Sequence, residues 1–112
     1  VNGTTPPPTS VRPPRTTALE LGLSEPAPSP FRHSVRLTLT VPAAVRDAIQ
    51  LRVFDVSGRV VRSLVDGPSA PGVRAVRWDG RDDGGRDLPA GLYLCQLQNA
   101  SRSVTRKIIR IR

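Results

Sequence analysis

Hydrophobic and polar residues alternate with a period of two along most of the chain. Leu19, Leu21 and Leu23 alternate with Glu20 and Gly22, the pattern of a strand with one buried face. Val35, Leu37, Leu39 and Val41 alternate with Arg36, Thr38 and Thr40 until Pro42 stops the run, since proline cannot donate to a ladder. In residues 49–56, Ile49, Leu51 and Val53 fall on one side and Phe54 and Val56 on the other. Ser57-Gly58 then turns the chain into residues 60–65, so these two segments should pair as a hairpin. Residues 73–78, 92–98 and 104–111 complete the set, with a long polar turn over 79–87 and a short one at Asn99-Ala100-Ser101. Seven short strands separated by turns predict an all-β sandwich.

Residues 1–17 do not share this pattern. They hold five of the twelve prolines, with many Thr and Ser, and predict an extended, polyproline-like arm or linker ahead of a sandwich spanning 18–112. No apolar run approaches the length of about 20 residues that a membrane-crossing helix needs. The sequence has no methionine and begins at Val1, which fits a processed or excerpted chain, and export with the leader removed is the expectation. Cys95 is the only cysteine, so neither an intrachain disulfide nor a thiolate zinc cluster can form within the chain.

The net charge of +8 first raises nucleic acid as a partner. The distribution speaks against it. Sixteen of the seventeen basic residues are arginines, with Lys107 the exception, and they are scattered as on a solvated sheet face. Phe31, Phe54, Trp78 and Tyr93 do not interleave with them as a base-stacking platform requires.

Several segments in order carry a resemblance: Pro30-Phe31, then residues 35–42, then Leu51-Arg52-Val53-Phe54-Asp55-Val56-Ser57-Gly58-Arg59-Val60-Val61, then Val76-Arg77-Trp78-Asp79-Gly80-Arg81-Asp82, then Ala90-Gly91-Leu92-Tyr93, then Thr105-Arg106-Lys107. Together they resemble the immunoglobulin-like C-terminal domains of secreted bacterial proteins, the type IX secretion sorting domains, and the related Ig-like domain of the flagellar hook-capping protein. The resemblance spans roughly residues 19–112. It implies a seven-stranded Ig-like β-sandwich, an exported chain and no catalysis.

The same residues also have a physical reading. Trp78, the single tryptophan, should centre the core, with Tyr93 and Phe54 as further core anchors. Asp79 can accept backbone N–H bonds as the chain leaves the strand, Gly80 allows a positive φ, and Gly91 is expected to permit a close approach of the next strand. Asp79, Asp82, Asp83 and Asp87 offer oxygens, but Arg81 and Arg86 stand among them and no bidentate Glu follows at calcium-loop spacing. A solvated turn, its acids neutralised by those arginines, is expected there. Cys95 lies in a strand, where a small apolar residue is ordinary, and His33 lies in a turn beside Arg32, so no nucleophile and base are assembled. Neither a metal nor a cofactor is expected. Asn2 and Asn99 match the glycosylation pattern.

These readings predict a non-enzymatic exported structural module. In sorting domains the module follows a much larger cargo, whereas here it stands behind an arm of seventeen residues. Self-assembly into an extracellular filament or surface array is therefore the first expectation, with the arm adding to a neighbour's open sheet edge. Val11, Leu19, Leu21 and Leu23 are the candidate inserted residues. The alternative is a C-terminal sorting or surface-anchoring domain that meets the secretion machinery.

Overall fold

A computed structural model describes residues 20–112. Its strands are β1 (Gly22–Leu23), β2 (Val35–Val41), β3 (Ile49–Phe54), β4 (Val60–Gly67), β5 (Gly72–Trp78), β6 (Gly91–Gln98) and β7 (Ser103–Arg110). Strands β1-β2-β5 form one antiparallel sheet and β4-β3-β6-β7 the other. The described residues contain no helix, and none that could cross a membrane. The architecture is the seven-stranded sandwich anticipated from the alternation, in the Ig-like form that the resemblance implied.

The period-two pattern works as expected because successive side chains in a strand point to opposite faces. Val35, Leu37, Leu39 and Val41 of β2 are buried, as are Ile49, Leu51 and Val53 of β3 and Tyr93, Cys95 and Leu97 of β6. Together with Leu21, Leu23, Trp78 and Ile108 they fill the space between the sheets. β4 runs two residues further than expected, to Gly67, the bounds of β5, β6 and β7 shift by one residue, and β1 and β3 are shorter. β1 is shorter than the alternation over Leu19, Leu21 and Leu23 suggested: among the described residues only Gly22 and Leu23 pair with β2, opposite Thr40 and Leu39, while Leu21 is buried just ahead of the strand. The ladder continues only through Ser24, whose N–H reaches Thr38 O at 2.9 Å, and an isolated bridge between Ala27 and Arg36. β3 ends at Phe54, because Asp55 turns the chain: its Oδ1 accepts the Ser57 N–H at 2.9 Å and the Arg59 N–H at 3.1 Å.

Three aromatic rings lie at the centre. Trp78 is fully buried, with the Tyr93 ring at 5.3 Å in an edge-to-face arrangement and Phe31 at 5.6 Å, geometries that the ring quadrupoles favour. Both polar handles are satisfied: the indole N–H donates to Arg81 O at 2.9 Å and the Tyr93 hydroxyl to Pro89 O at 2.6 Å. Phe54 is a correction to the expected trio. It sits half-buried on the outward-facing side of β3, because the parity that buries Val53 turns its neighbour to the opposite face. Phe31, from the loop before β2, takes the core position instead.

Replacing Trp78 with alanine would remove the central ring from a fully buried site and leave a cavity. A loss of about 3–5 kcal/mol in unfolding free energy is expected, measured by denaturant titration followed by far-ultraviolet circular dichroism; a loss below about 1 kcal/mol would contradict the assigned role.

Candidate functional site

Two edges of the sandwich meet along a seam formed by arginines. Arg102, just before β7, and Arg106 and Arg110 within it follow each other at intervals of four, so they share the inward-facing side of the strand. The Arg102 Nε donates to Leu21 O at 2.9 Å, and its Nη1 lies 3.2 Å from Glu20. Arg106 repeats the arrangement with Leu23 O at 2.9 Å and Glu25 at 3.0 Å. Arg110, only 7% exposed, donates to Gly80 O at 2.7 Å and Leu88 O at 2.9 Å and pairs with Asp87 at 2.8 Å. Each guanidinium thus satisfies a main-chain carbonyl and a carboxylate at once. The expectation of a uniformly solvated basic face is corrected here: these three cations stitch one sheet to the other.

The turn over 79–87 serves the same seam. Asp79 Oδ1 accepts the Arg81 N–H at 3.1 Å, and Gly80 adopts φ +78°. A Cβ at position 80 would come within 2.6 Å of the Arg110 guanidinium, so glycine is required both by the backbone conformation and by the space. Asp82 accepts the Arg86 N–H at 2.9 Å and pairs with Arg86 Nε at 3.1 Å. Arg81 departs from the expected neutralising role, because its Nη1 donates to Gly85 O. Asp83 reaches β4, its N–H donating to Val61 O and its carboxylate accepting the Ser63 N–H. Hydrogen bonds from Arg110 and then Arg112 hold the Asp87 carboxyl below its ordinary value. The Arg86 backbone N–H does the same for Asp82, and the Ser57 hydroxyl for Asp55. Burial pushes the Tyr93 phenol up.

Among the residues expected to assemble copies, Leu21 and Leu23 are buried in their own core, at 2% and 4% exposure. Their carbonyls are held by Arg102 and Arg106, which leaves neither residue free for insertion into a neighbour. Val11, Leu19 and Asn2 lie outside the described residues. Asn99 is half-buried in the β6–β7 turn, where its Oδ1 accepts the Ser101 and Arg102 N–H groups. Gly91 has open space where a Cβ would stand; its φ of +151°, not a close neighbour, accounts for the glycine. Cys95 is fully buried on β6 and its thiol is pushed up to about 12 by burial. His33 is exposed and lines a cleft of about 660 Å3 with Arg32, Arg81, Arg110 and Arg112. Cys95 does not border that cleft.

The outer face of the four-stranded sheet carries a feature that the reading of Phe54 as core concealed. The register places Val60 of β4 beside Phe54, Phe54 beside Leu94 and Leu94 beside Lys107, with Leu92 opposite Ile109 in the next row. Val60, Leu92 and Ile109 are exposed, and Val56 just beyond the strand is 74% exposed. One end of this sheet is therefore apolar and uncovered among the described residues. The alternation of residues 49–56 contained the signal, since it put Phe54 and Val56 on the side opposite Val53.

Two measurements check this arrangement. A carboxyl held below its ordinary value in the fold contributes stability above that value and loses it as pH falls through the folded value. The melting temperature of Asp87→Asn should thus lie below wild type at neutral pH, and the gap should close as the medium is acidified; a constant gap would show that the Arg110 and Arg112 pairings carry no linkage. Native Cys95 should resist a thiol reagent at neutral pH and react only after unfolding, and equal rates in both states would contradict its burial.

Solved structures similar to this chain include three bacterial proteins. The chain aligns structurally with dimeric latent PorU from Porphyromonas gingivalis, with a TM-score of 0.61 and 18% identity, over 84% of this chain and 10% of that one. It aligns with PorZ, described as an essential bacterial surface component of the type IX secretion system of the same organism, with a TM-score of 0.54 and 17% identity, over 82% of this chain and 11% of that one. FlgD from Pseudomonas aeruginosa matches with a TM-score of 0.46 and 24% identity, over 68% and 58% of the two chains. The chain thus spans about a tenth of the length of PorU and PorZ. No curated protein sequence matches it. The family model of the FlgD Ig-like domain matches residues 17–103, and with the two sheets and their core in place the chain belongs to that family.

Proposed function

We propose that the chain is a non-enzymatic Ig-like module of an exported, surface-associated or secretion-related assembly, acting by holding and joining. One observation carries the reading: the apolar end of the large sheet, built from Phe54, Val60, Leu92, Leu94 and Ile109, is left uncovered by the described residues. Contiguous apolar surface of this kind on a domain marks contact with a second body. The site chemistry agrees, since the lone thiol is buried and protonated and the lone imidazole lies in a cleft that the thiol does not border. The family and the surface role stated for PorZ support an exported setting.

In its finer form the module joins copies of itself into a filament or array, with residues 1–17 of one copy running onto the next. Val11 and Leu19 remain the candidate apolar contacts, now that Leu21 and Leu23 belong to the core. A second reading is a C-terminal sorting or surface-anchoring domain of a larger secreted protein, favoured by the small share of PorU and PorZ that the chain spans.

Electron microscopy and light scattering of the full chain, of a form lacking residues 1–17, and of Ile109→Glu test these readings. Self-assembly lost on deleting the arm is the expected result. Assembly that survives the deletion would overturn the arm mechanism, and a full chain that stays monomeric at high concentration would overturn self-assembly in favour of the second reading. Ile109→Glu should weaken whichever contact covers the large sheet, and an unchanged contact would remove the apolar face from the account.

A further inference from the structure

Among the described residues the sandwich has four sheet edges, and hydrogen bonds from other segments reach part of three of them. The outward carbonyls of β1 are held by Arg102 and Arg106, the β4 edge is met by Asp83, and the end of β7 is met by Phe31, which bonds to Ile109 and Ile111. β5 is different. On β2, Arg36 and Thr38 turn their main-chain groups toward the β1 side, where they bond to Ala27 and Ser24. Backbone groups alternate sides along an antiparallel strand, so Val35, Leu37, Leu39 and Val41 exchange bonds with Trp78, Val76, Arg74 and Gly72. The N–H and C=O groups of Val73, Ala75 and Arg77 therefore point away from the sheet, and among the described residues no hydrogen bond from another segment reaches them.

The charges around this edge share one sign. Arg77 stands opposite Arg36 in a pair that is not hydrogen-bonded, the closer of the two antiparallel spacings, where like charges destabilise. Arg74 is also exposed on the strand. None of the three has a carboxylate partner among the described residues, and neither β2 nor β5 contains an Asp or Glu. Val73, 64% exposed, and Ala75 complete the face beside Arg77.

We propose that the β5 edge accepts an extended, acidic segment of another protein as an added strand, with Val73, Ala75 and Arg77 supplying the main-chain bonds and Arg36, Arg74 and Arg77 selecting carboxylates. A charged edge is also a guard against edge-to-edge aggregation, and the two roles are compatible here. Two copies of this edge repel each other, and residues 1–17 carry Arg12 and Arg15 with no acid, so the sign of the charge disfavours both and favours an acidic chain. The inference deepens the joining role proposed above, yet its test reads three named amides and does not depend on whether residues 1–17 drive assembly.

The test uses the full chain labelled with 15N and three probes: a capped heptapeptide of alternating valine and glutamate, its lysine counterpart, and a peptide of residues 1–17. The glutamate peptide should slow hydrogen exchange at Val73, Ala75 and Arg77 by about tenfold or more at saturation, and bind about tenfold more tightly than the lysine peptide. Ala75→Pro removes the central outward N–H without touching a bond to β2 and should abolish this protection while exchange at Leu37 and Leu39 stays slow. Arg77→Glu keeps every main-chain group and should shift the preference toward the lysine peptide. Equal binding of the two heptapeptides, protection at other amides, or no protection would overturn the proposal. Tighter binding of the 1–17 peptide, or protection that grows with protein concentration alone, would overturn it in favour of a second copy as occupant.

Discussion

A guanidinium more than nine-tenths buried ties the last strand of one sheet to the turn that leaves the other. An unpaired charge in such a place would be prohibitively costly, so Arg110 is tolerable because its Nη1 donates to Gly80 O and Leu88 O and pairs with Asp87, although its Nε is buried without a partner among the described residues. The same group lies 5.9 Å from the centre of the Phe31 ring, which in turn packs on Trp78. Core and seam are thus one structure. The tryptophan sets the path of β5 into the turn, Gly80 offers its carbonyl where a side chain would collide, and the arginine closes the gap. Removing any member would strand the others, which is a harsher penalty than the net worth of the pair itself.

Most of this sandwich was legible in the alternation of the sequence. The strands from β2 to β7 follow the period of two, and Trp78 stood out as a lone large ring in an apolar strand. Phe54 was misread because an aromatic residue in a strand attracts a core assignment, although its parity relative to Val53 already placed it outside. Phe31 had no periodicity to announce it, since it belongs to a proline-rich loop whose position depends on long-range bonds to Ile109 and Ile111. The arginine seam was invisible for a related reason. A cation every four residues in a strand signals a shared face, but whether that face meets water or the carbonyls of another sheet is decided only by the tertiary arrangement.

The leucines of β1 show the same limit from the opposite direction. Their alternation marked a strand correctly, yet a strand signal cannot say which sheet, or which copy of the chain, receives it. Glu20 and Glu25 flank β1 at the spacing that meets Arg102 and Arg106, and that match holds the segment in its own domain. Ion pairs as exposed as these contribute little singly. Their effect lies in orientation, because each brings a guanidinium onto a main-chain carbonyl that would otherwise be an open edge.

Arginine is therefore used in two opposed ways around one small core. Where a carboxylate and a carbonyl converge on it, as along β7, it closes an edge and substitutes for the disulfide that a single cysteine cannot make. Where no acid is present, as on β2 and β5, the same residue type leaves an edge that repels its own kind. A domain whose stability came from general charge balance would distribute its acids evenly. Seven of its nine acids instead enter the ion pairs that brace turns and the seam. The excess positive charge on β2 and β5 is then a consequence of where the fold spends its carboxylates, and it leaves this side of the sandwich electrostatically incomplete by itself.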